Sequence, residues 1–300
     1  MSFSEFEGLR IKHLAAVQLA ENKVEDCRSA NLIDLTPDTP IYRIFPIDRL
    51  LSTLNNKKLC LVRPKLWDDP FENVLFKSKM FFNNGRYISL NKIRDQFYGQ
   101  CWSLKKECDG LWRNYTSNSC KGCDFDDFKK RHGHTPVSAK VKTTVGKLME
   151  AFYDDTNTES VCSYFMGKVK YCSMVEIADF LEKVDILDTS NFSQVFSLLI
   201  KRDSFSYEEE VRLIFSKPGD DYGSLANVKN QWNNSDLFEF SVDPNTLFDE
   251  IEFDPWIDDA SYDSFTQQIG QNYNVNVCKS RLYEDPSFVK ILKVKKIVLL

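Results

Sequence analysis

Between Phe3 and Cys27 the positions Phe6, Leu9, His13, Val17, Ala20, Val24 and Cys27 recur every three or four residues, with Lys and Glu between them. That is the spacing of one helical face, and it predicts an N-terminal helix. Pro37 and Pro40 then punctuate a linker over Leu35 to Pro40, after which Ile41-Tyr42-Arg43-Ile44-Phe45 reads as a strand. Pro46 suits the opening of a short helix over Ile47 to Leu54, with Leu50, Leu51 and Leu54 on one side, and Leu59 to Val62 reads as a second strand. The middle of the chain has helical segments near Ile88 to Phe97, Val145 to Tyr153, Met174 to Lys183 and Asn191 to Ile200. Strands return at Val211 to Ser216, Leu237 to Val242, Glu250 to Asp254, Val275 to Cys278 and Phe288 to Leu299, through alternation or β-branched content. The lysines of the last run suit a closing edge strand protected by charge. Strands at both ends with helices between them predict an α+β fold: a single mixed or antiparallel sheet with flanking helices. The expected layout is a helix and linker over 1–36, then one domain over 37–300 with an inserted loop at about 118–138.

Composition narrows the function classes. With 42% hydrophobic and 28% charged residues in 300, the chain has the make-up of a folded globular protein, not of a disordered or collagen-like one. No apolar run approaches the ~18 residues of a membrane span, and Glu5 and Glu7 interrupt any leader-like start, so no membrane partner and a cytoplasmic location are expected. Nine cysteines, an odd number scattered along the chain, fit reduced thiols. A net charge of -5 provides no overall positive field for nucleic acid. Three histidines against 44 acidic residues direct acid–base chemistry to carboxylates.

Polar residues gather in four clusters: Tyr42-Arg43; Asp68-Asp69-Pro70-Phe71-Glu72; Cys101-Trp102-Ser103 with Trp112-Arg113-Asn114-Tyr115; and Lys201-Arg202 through Tyr207-Glu208-Glu209-Glu210-Val211-Arg212. With a late Lys279-Ser280-Arg281-Leu282-Tyr283, these motifs and their order resemble the family catalogued as "domain of unknown function 2971" over roughly Ile41 to Tyr283. The family name implies no activity. The set Arg43, Ser103 and Glu208-x-Glu210 also resembles the Arg, Ser and Glu-x-Glu signature of arginine-directed ADP-ribosyltransferases, which implies a split sheet of their kind in this chain.

That resemblance implies NAD as substrate, with ADP-ribose transferred or the glycosidic bond hydrolysed, a nucleotide partner, and a protein or nucleic-acid acceptor; the setting it suggests is a bacterial toxin or phage-defence effector. A planar guanidinium at Arg43 suits a pyrophosphate. Ser103 would orient the nicotinamide ribose, and Trp102 or Tyr42 would stack on the nicotinamide. Glu210 would stabilise the oxocarbenium-like cation, and Glu208, on the same strand face, would steer or deprotonate the acceptor. Asp69, Glu72, Trp112, Arg113, Tyr115 and Arg212 complete the candidate substrate-binding set. Three alternatives stay open. Asp68, Asp69 and Glu72, joined by Glu208 or Glu210 and a basic residue such as Lys201 or Arg212, would suit Mg²⁺ in a nuclease. Arg43, Glu210 and Arg212 would equally form an ion-pair lattice in a non-enzymatic binding or regulatory module. Cys120-x-x-Cys123 with His132-x-His134 supplies zinc ligand types at unusually tight spacing, against a loop with free thiols.

Overall fold

The computed structural model describes residues 2–19, 28–81, 85–118, 125–132, 135–152, 164–186, 188, 190–216 and 235–284. Its strands, in chain order, are β1 Leu32–Ile33, β2 Pro40–Pro46, β3 Lys58–Val62, β4 Lys79–Phe81, β5 Tyr87–Ser89, β6 Phe97–Ser103, β7 Ser138–Thr144, β8 Tyr164–Lys168, β9 Lys170–Cys172, β10 Ile200–Arg202, β11 Glu210–Ser216, β12 Leu237–Ser241, β13 Glu250–Phe253 and β14 Asn276–Lys279. Ten of them form one sheet in the order β1-β8-β11-β6-β2-β7-β13-β14, with β3 pairing with both β6 and β12. The edge pairs β1/β8 and β13/β14 are parallel and the ladders between them antiparallel, so the fold is α+β around a mixed sheet.

β11 lies deep in this sheet, and every residue from Glu210 to Ser216 is buried. Val211, Leu213 and Phe215 point into a core shared with Ile41, Phe45, Trp102 and Val141. Ile214 points the other way, into a second core built on Phe97, Phe165, Phe192 and Phe196. The helix Phe3–Leu19 closes that second core: Phe6 is 1% exposed and packs edge-on against Phe180. His13, also buried, stacks on Phe192 and bonds the Ala30 carbonyl. The abundance of Phe therefore serves two cores on opposite faces of one sheet. Since Val211 and Ile214 belong to opposite faces, strand alternation places Glu210 and Arg212 on the side of the second core, among apolar neighbours, where their charges need partners.

Several expected elements take a different form. The helix expected near Ile88 to Phe97 is a single turn, Asn91–Arg94, between β5 and β6. Its aromatic end continues into β6, where Phe97 is 1% exposed. The remaining middle helices run Val145–Phe152, Met174–Lys183 and Phe192–Ser197. Part of the first expected helix and all of Phe288 to Leu299 lie outside the described residues. No helix among the described residues is long and apolar enough to cross a membrane.

β6 and β2 meet at one registered pair, Tyr42↔Ser103, and then part. Further back along β6, Gly99 pairs instead with Val62 of β3. The sheet is split between these two points, and side chains bond backbone groups beside the opening. Arg43 Nη1 donates to the Cys101 carbonyl at 2.6 Å, and Gln100 Nε2 donates to the Cys60 carbonyl at 3.0 Å. Gly99 is required here, because a Cβ would lie 2.7 Å from Cζ2 of Trp67. The Trp67 ring in turn lies over the Arg212 guanidinium, 4.3 Å from its centroid. Gly99→Ala is expected to cost about 1–3 kcal/mol through this overpacking, read as a lower urea midpoint at unchanged slope.

Candidate functional site

The split opens into a cleft of about 690 Å³, within the range of roughly 300–1,000 Å³ of small-molecule sites. Among the sequence candidates, Tyr42, Arg43, Asp69, Glu72, Trp102, Ser103, Trp112, Tyr115, Glu208 and Glu210 line it. Register explains part of this convergence: Tyr42, Ser103 and Glu210 form one row across β2, β6 and β11. Two candidates are not in the lining. Arg113 is on the surface, bonded to Asp109 and to the Tyr283 hydroxyl at 2.9 Å. Arg212 is fully buried behind the cleft wall and bonds carboxylates.

Lys201, on β10, is the hub of the cleft floor. Its ammonium lies 2.6 Å from Glu208, 3.1 Å from Glu72 and 3.1 Å from Glu210. Arg212 adds Nε to Glu210 Oε1 at 2.8 Å and Nη2 to Glu210 Oε2 and Glu72 Oε1 at 2.9 Å each, while Nη1 donates to the Leu198 carbonyl. Burial favours the neutral form of Glu210, but the Arg212 guanidinium and Lys201 outweigh it and hold the carboxyl down at about 2. An ion-pair lattice therefore exists, but it is built from Glu72, Lys201, Glu208, Glu210 and Arg212 and leaves out Arg43, which the expected one contained. Lys201 entered the sequence reading only as a neighbour of a metal. Tyr171, whose hydroxyl accepts the Glu210 amide at 2.8 Å, did not enter at all, since no local pattern marks it.

The same charges weigh against the nuclease reading. The Lys201 ammonium already occupies the point where Glu72, Glu208 and Glu210 converge, the position a divalent cation would need. Asp69 accepts the Phe71 amide at 3.0 Å and pairs with Arg202 at 2.8 Å, so its carboxylate caps a turn and is neutralised. No group of three or more His, Cys, Asp or Glu side chains that could hold a metal ion occurs among the described residues. For the zinc candidate, Cys120, Cys123 and His134 lie outside the described residues, and of His132 only its place at the end of the helix Phe125–His132 is described.

Glu208 does not share a strand face with Glu210. It ends the 3₁₀ segment Asp203–Glu208, and Glu209 then takes a left-handed conformation, φ 42° and ψ 54°, before β11 begins. The kink turns Glu208 back toward Lys201. Ser103 holds the kink in place, its hydroxyl donating to the Glu208 carbonyl at 2.6 Å and accepting the Lys105 amide at 2.9 Å. Burial pushes the Glu208 carboxyl above its ordinary value, and Lys201 only partly offsets this while Glu210 and Glu72 add to it. The aromatic candidates are enclosed. Trp102 is 2% exposed and donates its indole N–H to Gln100, and Trp112 is fully buried and donates to Glu107. Tyr42 covers the Lys140 ammonium at 5.8 Å. Tyr115 and Tyr207 lie at the mouth, 36% and 42% exposed.

Arg43 stands apart. Its Nε is buried without a hydrogen-bond partner, its guanidinium forms no ion pair among the described residues, and burial lowers its pKa.

No family model matches the chain, and no curated protein matches it in sequence. The likeness to domain of unknown function 2971 thus rests on the six short motifs. Solved structures of DarT from Thermus sp. 2.9 show a distant likeness to this chain. One in complex with NAD+ shares 12% identity at a TM-score of 0.34 and covers 82% of this chain and 98% of that one. One in complex with ADP-ribosylated ssDNA shares 11% identity at a TM-score of 0.35, covering 82% of this chain and 96% of that one.

Proposed function

We propose that the cleft binds NAD and breaks its nicotinamide–ribose bond, passing ADP-ribose to an acceptor or to water. The observation that carries this is the meeting, in one cavity, of an Arg43 guanidinium that forms no ion pair among the described residues with the carboxylates of Glu208 and Glu210. A half-buried cation without an internal carboxylate favours an anionic ligand, and a fork of donors fits a pyrophosphate. A carboxylate beyond it favours positive charge that develops during reaction. Breaking the C1′–N bond sends its electron pair to the nicotinamide nitrogen and leaves an oxocarbenium at the ribose; the acceptor's lone pair then closes on C1′ as the acceptor loses a proton.

The test is nicotinamide release from NAD, followed by chromatography with and without candidate protein and nucleic-acid acceptors. The wild-type chain is expected to release nicotinamide and the double variant Glu208→Gln/Glu210→Gln to release none above the uncatalysed rate. No release from wild type under any acceptor, or equal release from both chains, rejects the reading and leaves the binding or regulatory module.

A further inference from the structure

We infer that Glu208 is the catalytic carboxylate of the cleft and Glu210 a positioning residue that fixes Lys201, and through it Glu208. This rests on the NAD reading and reverses the order that the Glu-x-Glu resemblance implies. A carboxylate that meets a ligand needs an oxygen free to do so. Glu210 has none in reserve: Oε1 takes Arg212 Nε, Oε2 takes both Arg212 Nη2 and Lys201 Nζ, and the Cys101 thiol lies against the group. Its side chain is 5% exposed. Meeting a ribose hydroxyl or a forming cation would require breaking bonds to two buried cations.

Glu208 differs on each count. Lys201, on Oε2, is its one side-chain partner among the described residues, and its side chain is 20% exposed. It sits on the kink at Glu209, which the Ser103 hydroxyl pins by its carbonyl. The group is thus both positioned and available, as a carboxylate that faces the C1′ cation and takes the acceptor's proton should be. The two carboxylates are also pushed in opposite directions, Glu208 up and Glu210 down, the pattern that separates a proton-transferring group from a permanently ionised one.

The experiment has two arms on the full chain. In the first, nicotinamide release is measured for Glu208→Gln and Glu210→Gln. The expected result is a fall in kcat of at least 10²-fold for Glu208→Gln, with KM within about threefold and an unchanged melting temperature. Glu210→Gln is expected to lose melting temperature while keeping more of its kcat than Glu208→Gln. A larger kcat loss in Glu210→Gln, at temperatures where it remains folded, overturns the assignment. In the second arm, the carboxyl carbons of ¹³C-labelled glutamates are titrated without ligand, with the two variants giving the peak assignments. Glu208 is expected to titrate above the ordinary glutamate range while Glu210 stays ionised; the reverse order also overturns the assignment. If wild type releases no nicotinamide, the NAD reading falls, and the titration still decides which carboxylate the cleft presents.

Discussion

Replacing Arg212 by Met is expected to be the most damaging single change in the chain, lowering stability by on the order of 3–5 kcal/mol, the cost of breaking a buried pair from one side. The side chain is fully buried, and its guanidinium serves Glu72, Glu210 and the Leu198 carbonyl beneath the Trp67 ring. Methionine fills much of the volume but leaves two buried carboxylates sharing Lys201 alone. Against a total stability of roughly 5–15 kcal/mol this is a large fraction, and the melting temperature should fall by about 10 °C. Adding Glu210→Leu to Arg212→Met should recover part of the loss, because it removes the uncompensated charge. A double variant less stable than the single one contradicts this account.

The pH dependence carries the same signature. Glu210 is depressed from an ordinary 4.5 to about 2, so its contribution is present above pH 4.5 and is lost as pH falls toward 2. The size is on the order of 3 kcal/mol. Glu208 runs the other way: its folded value is raised, so its contribution is present below the ordinary range and is lost as pH rises through the raised value. Urea midpoints measured across pH 2–6 should show the steep Glu210 limb in wild type and not in Arg212→Met.

How much of this was legible beforehand follows from the range of each interaction. β2 and β11 were readable because apolar alternation is local, and the stretch Met174–Lys183 was readable because its helical spacing is reinforced by the capping box between Ser173 and Glu176. The candidate residues on the β2–β6–β11 row were found because short motifs mark strand ends. The split was suggested only by the resemblance to ADP-ribosyltransferases, since nothing in Phe97–Ser103 itself states that β6 leaves β2 after one pair and joins β3 through Gly99. That Arg113 lies on the surface and Arg212 behind the cleft wall was illegible for a related reason. Side-chain direction depends on which face of the helix or sheet the fold covers, and a motif read as a string contains no such information. Likewise the Glu208/Glu210 pair looked like two residues on one strand face, because the left-handed turn at Glu209 uses a residue type that does not advertise it.

Arg43→Met should give the opposite outcome to Arg212→Met: a chain of near wild-type stability that has lost its ligand. In the free protein the Arg43 guanidinium makes one hydrogen bond, to the Cys101 carbonyl, has no counter-ion among the described residues, and is held in surroundings that disfavour its charge. Losing that bond costs about 1–3 kcal/mol if the carbonyl is left unpaired, but relief from burying a lone cation offsets it. With an anionic ligand the balance changes, since each charge-assisted hydrogen bond contributes about 1.5–3 kcal/mol. A loss of roughly 10–100-fold in affinity for NAD or ADP-ribose is therefore expected, at about 1.4 kcal/mol per tenfold, with a melting temperature within a few degrees of wild type. Arg43→Lys retains the charge without the planar fork and should recover only part of the affinity. Calorimetric titration of the three chains with NAD and with ADP-ribose decides it: unchanged affinity in Arg43→Met removes the anion site. Arg43 lines the cleft and Arg212 lies buried behind its wall, and what separates them is whether the fold already supplies the carboxylate.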